Sequence, residues 1–520
     1  MNRLVTWNPE DSSFWEATGK RIANRNLWIS VPSLLCAFAV WLFWSIIIVQ
    51  MDNLGFSFST SQLYTLPAIA GLAGATLRIP NSFLIGISGG RIVIAVTTGL
   101  LLLPAFGTGM ALPDPTTPFT TFAVLAALSG IGGGNFASSM SNISFFFPKR
   151  IQGVALGINA GLGNIGVSVM QVLLPFVMTL GLFSFATGTG MTLPAATSGM
   201  EAGQTVWIQN AGYVWVPFLL LLTFLAWFGM STMPGHGSGS SPAAIGRVLW
   251  LKLLGFAAAG IGLYLLIGLN VSMWIVLPVT IILTLLLMRF LTPRPVRENL
   301  NSQFKIFRNG HTWSMTWLYV MTFGSFIGFS AAFPKLIQDV FGTLPDGGVN
   351  PNAPNPFAYA WLGPLVGSLA RPVGGWISDK WGGAKVTQWD TVVMIAATVG
   401  VGLLVYQARS AASPETYFFP FLVLFLVLFV TTGIGNGSTF QMVPGIFRPE
   451  QAGPVLGWTS AVAAYGAFII PKIFGSTIED GQPEVAFYGF AVYYLSCLFL
   501  NWVLYARRGV ALPQFAGASS

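Results

Sequence analysis

The sequence predicts an all-α polytopic membrane protein of fourteen spans, built as two six-helix halves with an inserted two-helix hairpin. Three observations predict it. Hydrophobic residues make up 54% of the 520 and charged residues only 8%, against roughly a quarter charged in soluble domains. Apolar runs of bilayer-crossing length, about 18–25 residues, recur along the whole chain. An arginine–glycine pattern also occurs twice, once in each half.

Residues 1–27 are polar and of mixed charge, unlike a cleavable signal peptide, and are expected to form a cytoplasmic N-terminal segment. Ser13-Phe14-Trp15-Glu16 fits a capping box and predicts a short helix on the membrane surface. Spans are expected to begin near residues 28, 62, 92, 118, 151 and 211, giving an N-terminal half over 28–233. A linker over 234–308 opens with GHGSGSSPAA and holds two extra spans from about 249 and 272. Its Leu/Ile-rich hairpin is read as uncharged within the membrane and peripheral. The C-terminal half, 309–508, takes spans from about 313, 357, 386, 417, 453 and 484, followed by a cytoplasmic tail over 509–520.

The 24 Lys and Arg residues orient the chain. Arg78 and Arg371 fall within spans, and Lys335, Lys472 and Arg409 at or beyond the outer ends; the other 19 share the face of both termini. The positive-inside rule makes that face cytoplasmic, and a bacterial inner membrane is the expected location. The net charge of +8 then reads as topology, which argues against a nucleic-acid partner. Cys36 and Cys497 lie in apolar runs, and His236 and His311 in connecting segments, so no disulfide framework, metal site, cofactor or enzymatic centre is expected.

The repeat pairs Gly74-Ala75-Thr76-Leu77-Arg78 with Gly367-Ser368-Leu369-Ala370-Arg371. In each copy a Gly-Gly pair, Gly89-Gly90 or Gly382-Gly383, follows the arginine by eleven and twelve residues. The second copy runs on as Gly375-Trp376-Ile377-Ser378-Asp379-Lys380-Trp381-Gly382, which resembles the cytoplasmic loop motif of the major facilitator superfamily. That resemblance implies two pseudo-symmetric halves with a substrate site between them near the midplane.

An arginine inside a span costs roughly 2.5–3.5 kcal/mol on insertion scales, so something must compensate it. All 16 Asp and Glu residues are read as lying in the N-terminal segment, in loops or at span ends, and no lysine as lying mid-span. Two deep cations without a fixed counter-anion imply a mobile one, the substrate. A guanidinium's planar fork suits a planar oxyanion such as nitrate, nitrite or bicarbonate better than a bare halide. In GIGGGNFASSMSNISFFFP (130–148), the glycines permit close helix approach, and Asn135, Ser138, Ser139 and Asn142 form a polar face. Gly153, Gly157 and Gly161 read as a double GxxxG ridge, and TTGIGNGSTFQMVPGIFRP is the partner copy in the second half.

The stretches GGNFASSMSNISFFFPKRIQGVALGINAGLGNIGVSVMQ and GIGNGSTFQMVPGIFRP resemble the paired signatures of the nitrate/nitrite porter family, the NarK-type branch of the superfamily. The resemblance extends over most of both halves. It implies that Arg78 and Arg371 clamp the anion, that Phe38, Phe136 and Phe323 wall it, and that Tyr319 hydrogen-bonds nearby. It places Asn164, Gly435 and Ser438 at other pocket positions. Two departures stand out: the family usually has twelve spans, and Ala160 replaces a glycine expected beside the pocket. The implied activity is nitrate/nitrite antiport by alternating access, in the service of nitrate assimilation, with small anions and lipid as partners and a monomeric state. Proton-coupled nitrate symport is the alternative, and an anion channel or sensor a more distant one.

Overall fold

The computed structural model describes residues 4–182, 188–197, 201–237, 240–294, 297, 298, 301 and 304–507. Its first half contains α1 (Ser12–Asn53), α2 (Thr60–Ser88), α3 (Gly90–Ala111), α4 (Phe119–Phe146), α5 (Lys149–Met178) and α6 (Asn210–Gly229). Between α5 and α6 lies a small antiparallel hairpin of β1 (Met191–Thr192) and β2 (Thr205–Val206). The inserted pair is α7 (Ser241–Gly268) and α8 (Met273–Leu291). The second half contains α9 (Gly310–Phe341), α10 (Leu362–Trp381), α11 (Gly383–Ser410), α12 (Pro414–Ile446), α13 (Gln451–Glu479) and α14 (Pro483–Ala506). Thirteen of these helices are long and apolar enough to cross a membrane. The other, α10, is 20 residues long but carries Arg371, Asp379 and Lys380, which lower its hydropathy. The expected tail, 509–520, lies outside the described residues.

Local chemistry sets the helix boundaries. Ser59 and Gln62 form a capping box at the start of α2. The Gly-Gly pairs of the repeat are hinges between helices: Gly89 ends α2 at φ 81° and Gly382 ends α10 at φ 86°, a left-handed turn that favours glycine. At the N-terminus the expectation is corrected. Asp11, not Ser13, caps the first helix, its carboxylate accepting from the Ser13 hydroxyl and from the Ser13 and Phe14 amides, and those bonds, the hydroxyl's first, hold its pKa below the usual range. The helix is no separate surface element, for it runs on through a π turn at Trp15–Gly19 into α1.

Small residues bring each arginine-bearing helix against its neighbour. A Cβ at Gly133 of α4 would lie 2.8 Å from the Gly74 Cα of α2. In the second half, a Cβ at Gly433 of α12 would lie 2.2 Å from the Gly367 carbonyl oxygen of α10. Neither position tolerates a side chain without moving backbone. The expected Gly153–Gly157–Gly161 ridge is not a packing surface: nothing lies within 4 Å of a Cβ at any of the three. The α1–α5 contact uses the opposite face, where a Cβ at Gly166 would come within 2.3 Å of the Leu35 carbonyl.

The inserted pair packs on α2. Val248, Leu251 and Leu254 cluster with Leu84, Ile85 and Val93, and Met288 packs with Ile79 and Ala461. One expectation about it fails. Pro242 at the start of α7 begins the helix at Ser241, several residues before the expected span, so Lys252 is buried within it and its Nζ has no partner among the described residues. Proline suits a first helical turn because the missing N–H is unbonded there anyway.

The two halves meet tightly at the ends of α1, α2, α9 and α13 that the charge count assigns to the outer face. Lys335 Nζ is 3.0 Å from Asp52 of the other half and also pairs with Asp339. Gln338 donates to Asp52 and Asn53 at 3.1 and 2.9 Å, and Lys472 donates to Thr65 at 3.2 Å. Lys335 was expected at or beyond a span end; it lies inside α9 and is 1% exposed. At the opposite helix ends, positions 153, 157, 445 and 453 are glycines facing open space.

Candidate functional site

Arg78 sits midway along α2 and is completely buried. Its Nε donates to the Gly133 carbonyl at 2.8 Å. Its Nη1 crosses to the other half, donating to the carbonyl and hydroxyl of Ser460 on α13 at 3.1 and 3.0 Å. Nη2 has no partner among the described residues. The guanidinium carbon lies 4.7 Å from the Phe136 ring centroid, 4.9 Å from Phe323 and 5.4 Å from Trp41. Rings at these distances favour a cation through their quadrupoles while excluding water.

Arg371 on α10 is less enclosed. Its Nη2 donates to the Tyr319 hydroxyl at 3.4 Å and its Nη1 has no partner among the described residues. Its guanidinium lies 5.0 Å from the Phe440 ring. A chain of rings joins the two arginines: Phe38 meets Phe136 edge-on at 6.0 Å, Phe136 stacks on Phe323 at 6.3 Å, and Phe323 stacks on Tyr319 at 5.6 Å. Phe323 lies in a π turn at Val320–Gly324, a local widening of the helix that often marks functional positions. None of the ion pairs among the described residues includes Arg78 or Arg371.

The other expected residues diverge. Asn164 is buried on α5 with its Oδ1 unpartnered. Ser438 instead bonds Thr387 of α11 at 2.7 Å. Gly435 faces Thr322 and Asp390, the latter's Oδ2 lying 2.9 Å from where a Cβ would sit. The polar face of α4 largely joins helices or its own turns: Ser139 accepts from Asn159 at 2.9 Å, and Asn135 donates to the Thr97 carbonyl at 3.4 Å. Sequence reasoning also placed Asp390 at a span end. Helix α11 begins at Gly383, leaving Asp390 two turns inside, buried, with Oδ2 unpartnered among the described residues. The membrane region therefore holds a buried carboxylate and two buried lysines that boundary errors of a few residues concealed. Ser460, Trp41 and Phe440 were missed, although Phe440 stands within the second signature stretch. Among the described residues, no group of three His, Cys, Asp or Glu is placed to hold a metal.

Comparison with known proteins gives this geometry a family. The chain is 39% identical to a probable nitrate/nitrite antiporter NarK2 of Thermus thermophilus, over 98% of each chain. It is 38% identical to the nitrate/nitrite transporter NarU of Salmonella typhimurium, over 97% of this chain and 96% of that one. The chain belongs to the nitrate/nitrite transporter family. No family model matches it. Its fold is that of the major facilitator superfamily. A partially occluded, inward-open xylose transporter XylE of E. coli superposes with a TM-score of 0.58 at 12% identity, covering 94% of this chain and all of the other. A D-xylose–proton symporter gives 0.60 at 13% identity, covering 92% and 97%. Within this nitrate/nitrite transporter family member, the repeated arginines lie on α2 and α10, the second helices of the two halves.

Proposed function

We propose that this protein exchanges nitrate for nitrite by alternating access, with Arg78 and Arg371 binding one anion between the halves. The observation that carries the reading is the pair of repeat-related arginines, joined by stacked rings and having, among the described residues, an Nη atom each without a partner and no carboxylate in ion-pair contact. The names of its relatives support nitrate and nitrite as the anions. Phe38, Phe136, Phe323 and Tyr319 belong to the site in this reading, and Asn164 remains a candidate for a rearranged, loaded state. Gly435 and Ser438 serve it from behind, by seating α11 against α12.

Both termini are assigned to the cytoplasmic face of a bacterial inner membrane, with α10 completing fourteen spans. The closed outer contacts then describe a carrier whose cytoplasmic side is the looser one.

A second reading, proton-coupled nitrate symport, is favoured by one specific feature. Asp390 is a buried carboxylate that faces Gly435, as does Thr322, three residues along the chain from Tyr319. Intramembrane carboxylates commonly relay protons. Reconstituted vesicles separate the two. Exchange requires nitrite or nitrate inside and responds little to an imposed pH gradient. Robust uptake into anion-free vesicles, driven by an inward proton gradient, would overturn exchange in favour of symport.

A further inference from the structure

A guanidinium has five N–H donors in one plane and binds a planar oxyanion through two adjacent ones. On Arg78 the protein already engages both edges. Gly133 takes Nε, and Ser460 engages Nη1 with both its carbonyl and hydroxyl oxygens. Nη2 alone has no partner among the described residues, and a fork that pairs it with Nε or Nη1 brings the anion into competition with Gly133 or Ser460. Gly133 is the rigid partner: it belongs to the same half and lies where α4 is pressed against Gly74. Ser460 is the separable one, because it belongs to the other half. We infer that Ser460 is a positioning residue that competes with the substrate anion for Nη1 of Arg78, so that anion binding breaks a bond between the halves.

The sequence supports the asymmetry. Gly153 and Gly157 are followed three residues on by Ala160, and Gly453 and Gly457 by Ser460 at the matching place. The second half supplies a hydroxyl where the first has a methyl. Arg371, whose Nη1 has no partner among the described residues and whose Nη2 bond to Tyr319 is long at 3.4 Å, is then the arginine that receives the anion first. Capture by Arg78 follows and displaces Ser460. In the empty carrier, Ser460 holds the Nη1 position that one of the anion's oxygens later takes, beside the second oxygen on Nη2.

This inference rests on the anion-exchange reading, and its test keeps the two apart. Nitrate affinity of the purified protein is measured by calorimetry, and nitrate KM and kcat by exchange in vesicles, for wild type, Ser460→Ala and Ser460→Thr. Removing one of two competing acceptors tightens binding, so Ser460→Ala is expected to lower both Kd and KM about three- to tenfold, the size of one hydrogen bond. Ser460→Thr keeps the acceptor and returns both values to near wild type, an effect that a packing role would not produce. Unchanged affinity in Ser460→Ala overturns the competition. Weakened affinity overturns it too, showing that the hydroxyl donates to the anion. A wild-type protein that binds neither nitrate nor nitrite overturns the functional reading itself, and the inference with it.

Discussion

Replacing Arg78 by lysine keeps the charge and removes the geometry. Arg78 donates three hydrogen bonds to two sides: from Nε to Gly133, and from Nη1 to the carbonyl and hydroxyl of Ser460. A lysine Nζ approaching the same place along a single stem cannot reach the Gly133 and Ser460 acceptors together, so at least one side of this arrangement is lost. Counting two bonds lost, at about 1.5–3 kcal/mol for each bond to a charged group, the deficit is about 3–6 kcal/mol. At about 1.4 kcal/mol per decade this corresponds to roughly a 10²- to 10⁴-fold loss. Part falls on the fold, because buried carbonyls are left without donors, and part on anion binding, because Nη2 disappears. The assay therefore has two arms: the melting temperature in detergent, and nitrate/nitrite counterflow in vesicles normalised to folded protein. Lower melting together with at least a hundredfold loss of counterflow is expected, and Arg371→Lys, with fewer protein bonds, is expected to lose counterflow with a smaller change in melting. Near-normal counterflow in both lysine variants would refute the reasoning and make the arginines structural.

Deleting residues 248–291 and joining the ends with a short linker is expected to leave nitrate-over-halide selectivity unchanged, while lowering the melting temperature because Leu84, Ile85 and Ile79 lose their cover; a switched selectivity would bring the pair into the site. Lys335→Met strands Asp339 without its buried cation, a loss of about 3–5 kcal/mol for a broken buried pair, and so loosens the outer contacts. A cysteine at Ser45, buried beside Gln171, is then expected to react faster with a membrane-impermeant thiol reagent from outside, and unchanged labelling would show that these contacts do not hold the face shut. Asp390→Asn is expected to preserve counterflow and its weak pH response, whereas loss of proton-driven uptake in that variant alone would assign Asp390 the coupling role.

Much of the architecture was readable because the physics of a bilayer is coarse. Eighteen or more apolar residues in succession have few alternatives to a helix, and the Gly-Gly pairs after each arginine announced the left-handed turns at Gly89 and Gly382. What escaped was finer than a helical turn. The expected start of the seventh span was late because a Gly/Ser-rich linker masked the helix-initiating Pro242, and Lys252 therefore passed for a flanking charge. The same few residues at α11 hid Asp390. Gly153, Gly157 and Gly161 had the spacing of a packing ridge, but spacing defines a face and not what covers it. Phe136 and Phe323 beside Arg78 were reached through family resemblance, since phenylalanine is equally at home against lipid. Ser460 was invisible for a different reason: its contact with Arg78 joins helices 382 residues apart in sequence, and no local pattern encodes that.

The structure also alters the physical argument for exchange. With no fixed counter-anion, two enclosed guanidinium groups repel, and closing the halves over an empty site is unfavourable. Arg78 shows that this penalty has two separable parts. Hydrogen bonds from Nε and Nη1 to neutral oxygens offset desolvation of the donors, but a carbonyl or hydroxyl carries no net charge, so the repulsion between the arginines persists. Only an anion removes it. Lys335 supplies the contrast within the same molecule, because two of the protein's own carboxylates neutralise it at a contact between the halves that needs no ligand. Neutral partners at Arg78 hold the guanidinium in position without satisfying its charge, and in the proposed exchange that unsatisfied charge is what would make a loaded carrier easier to turn over than an empty one.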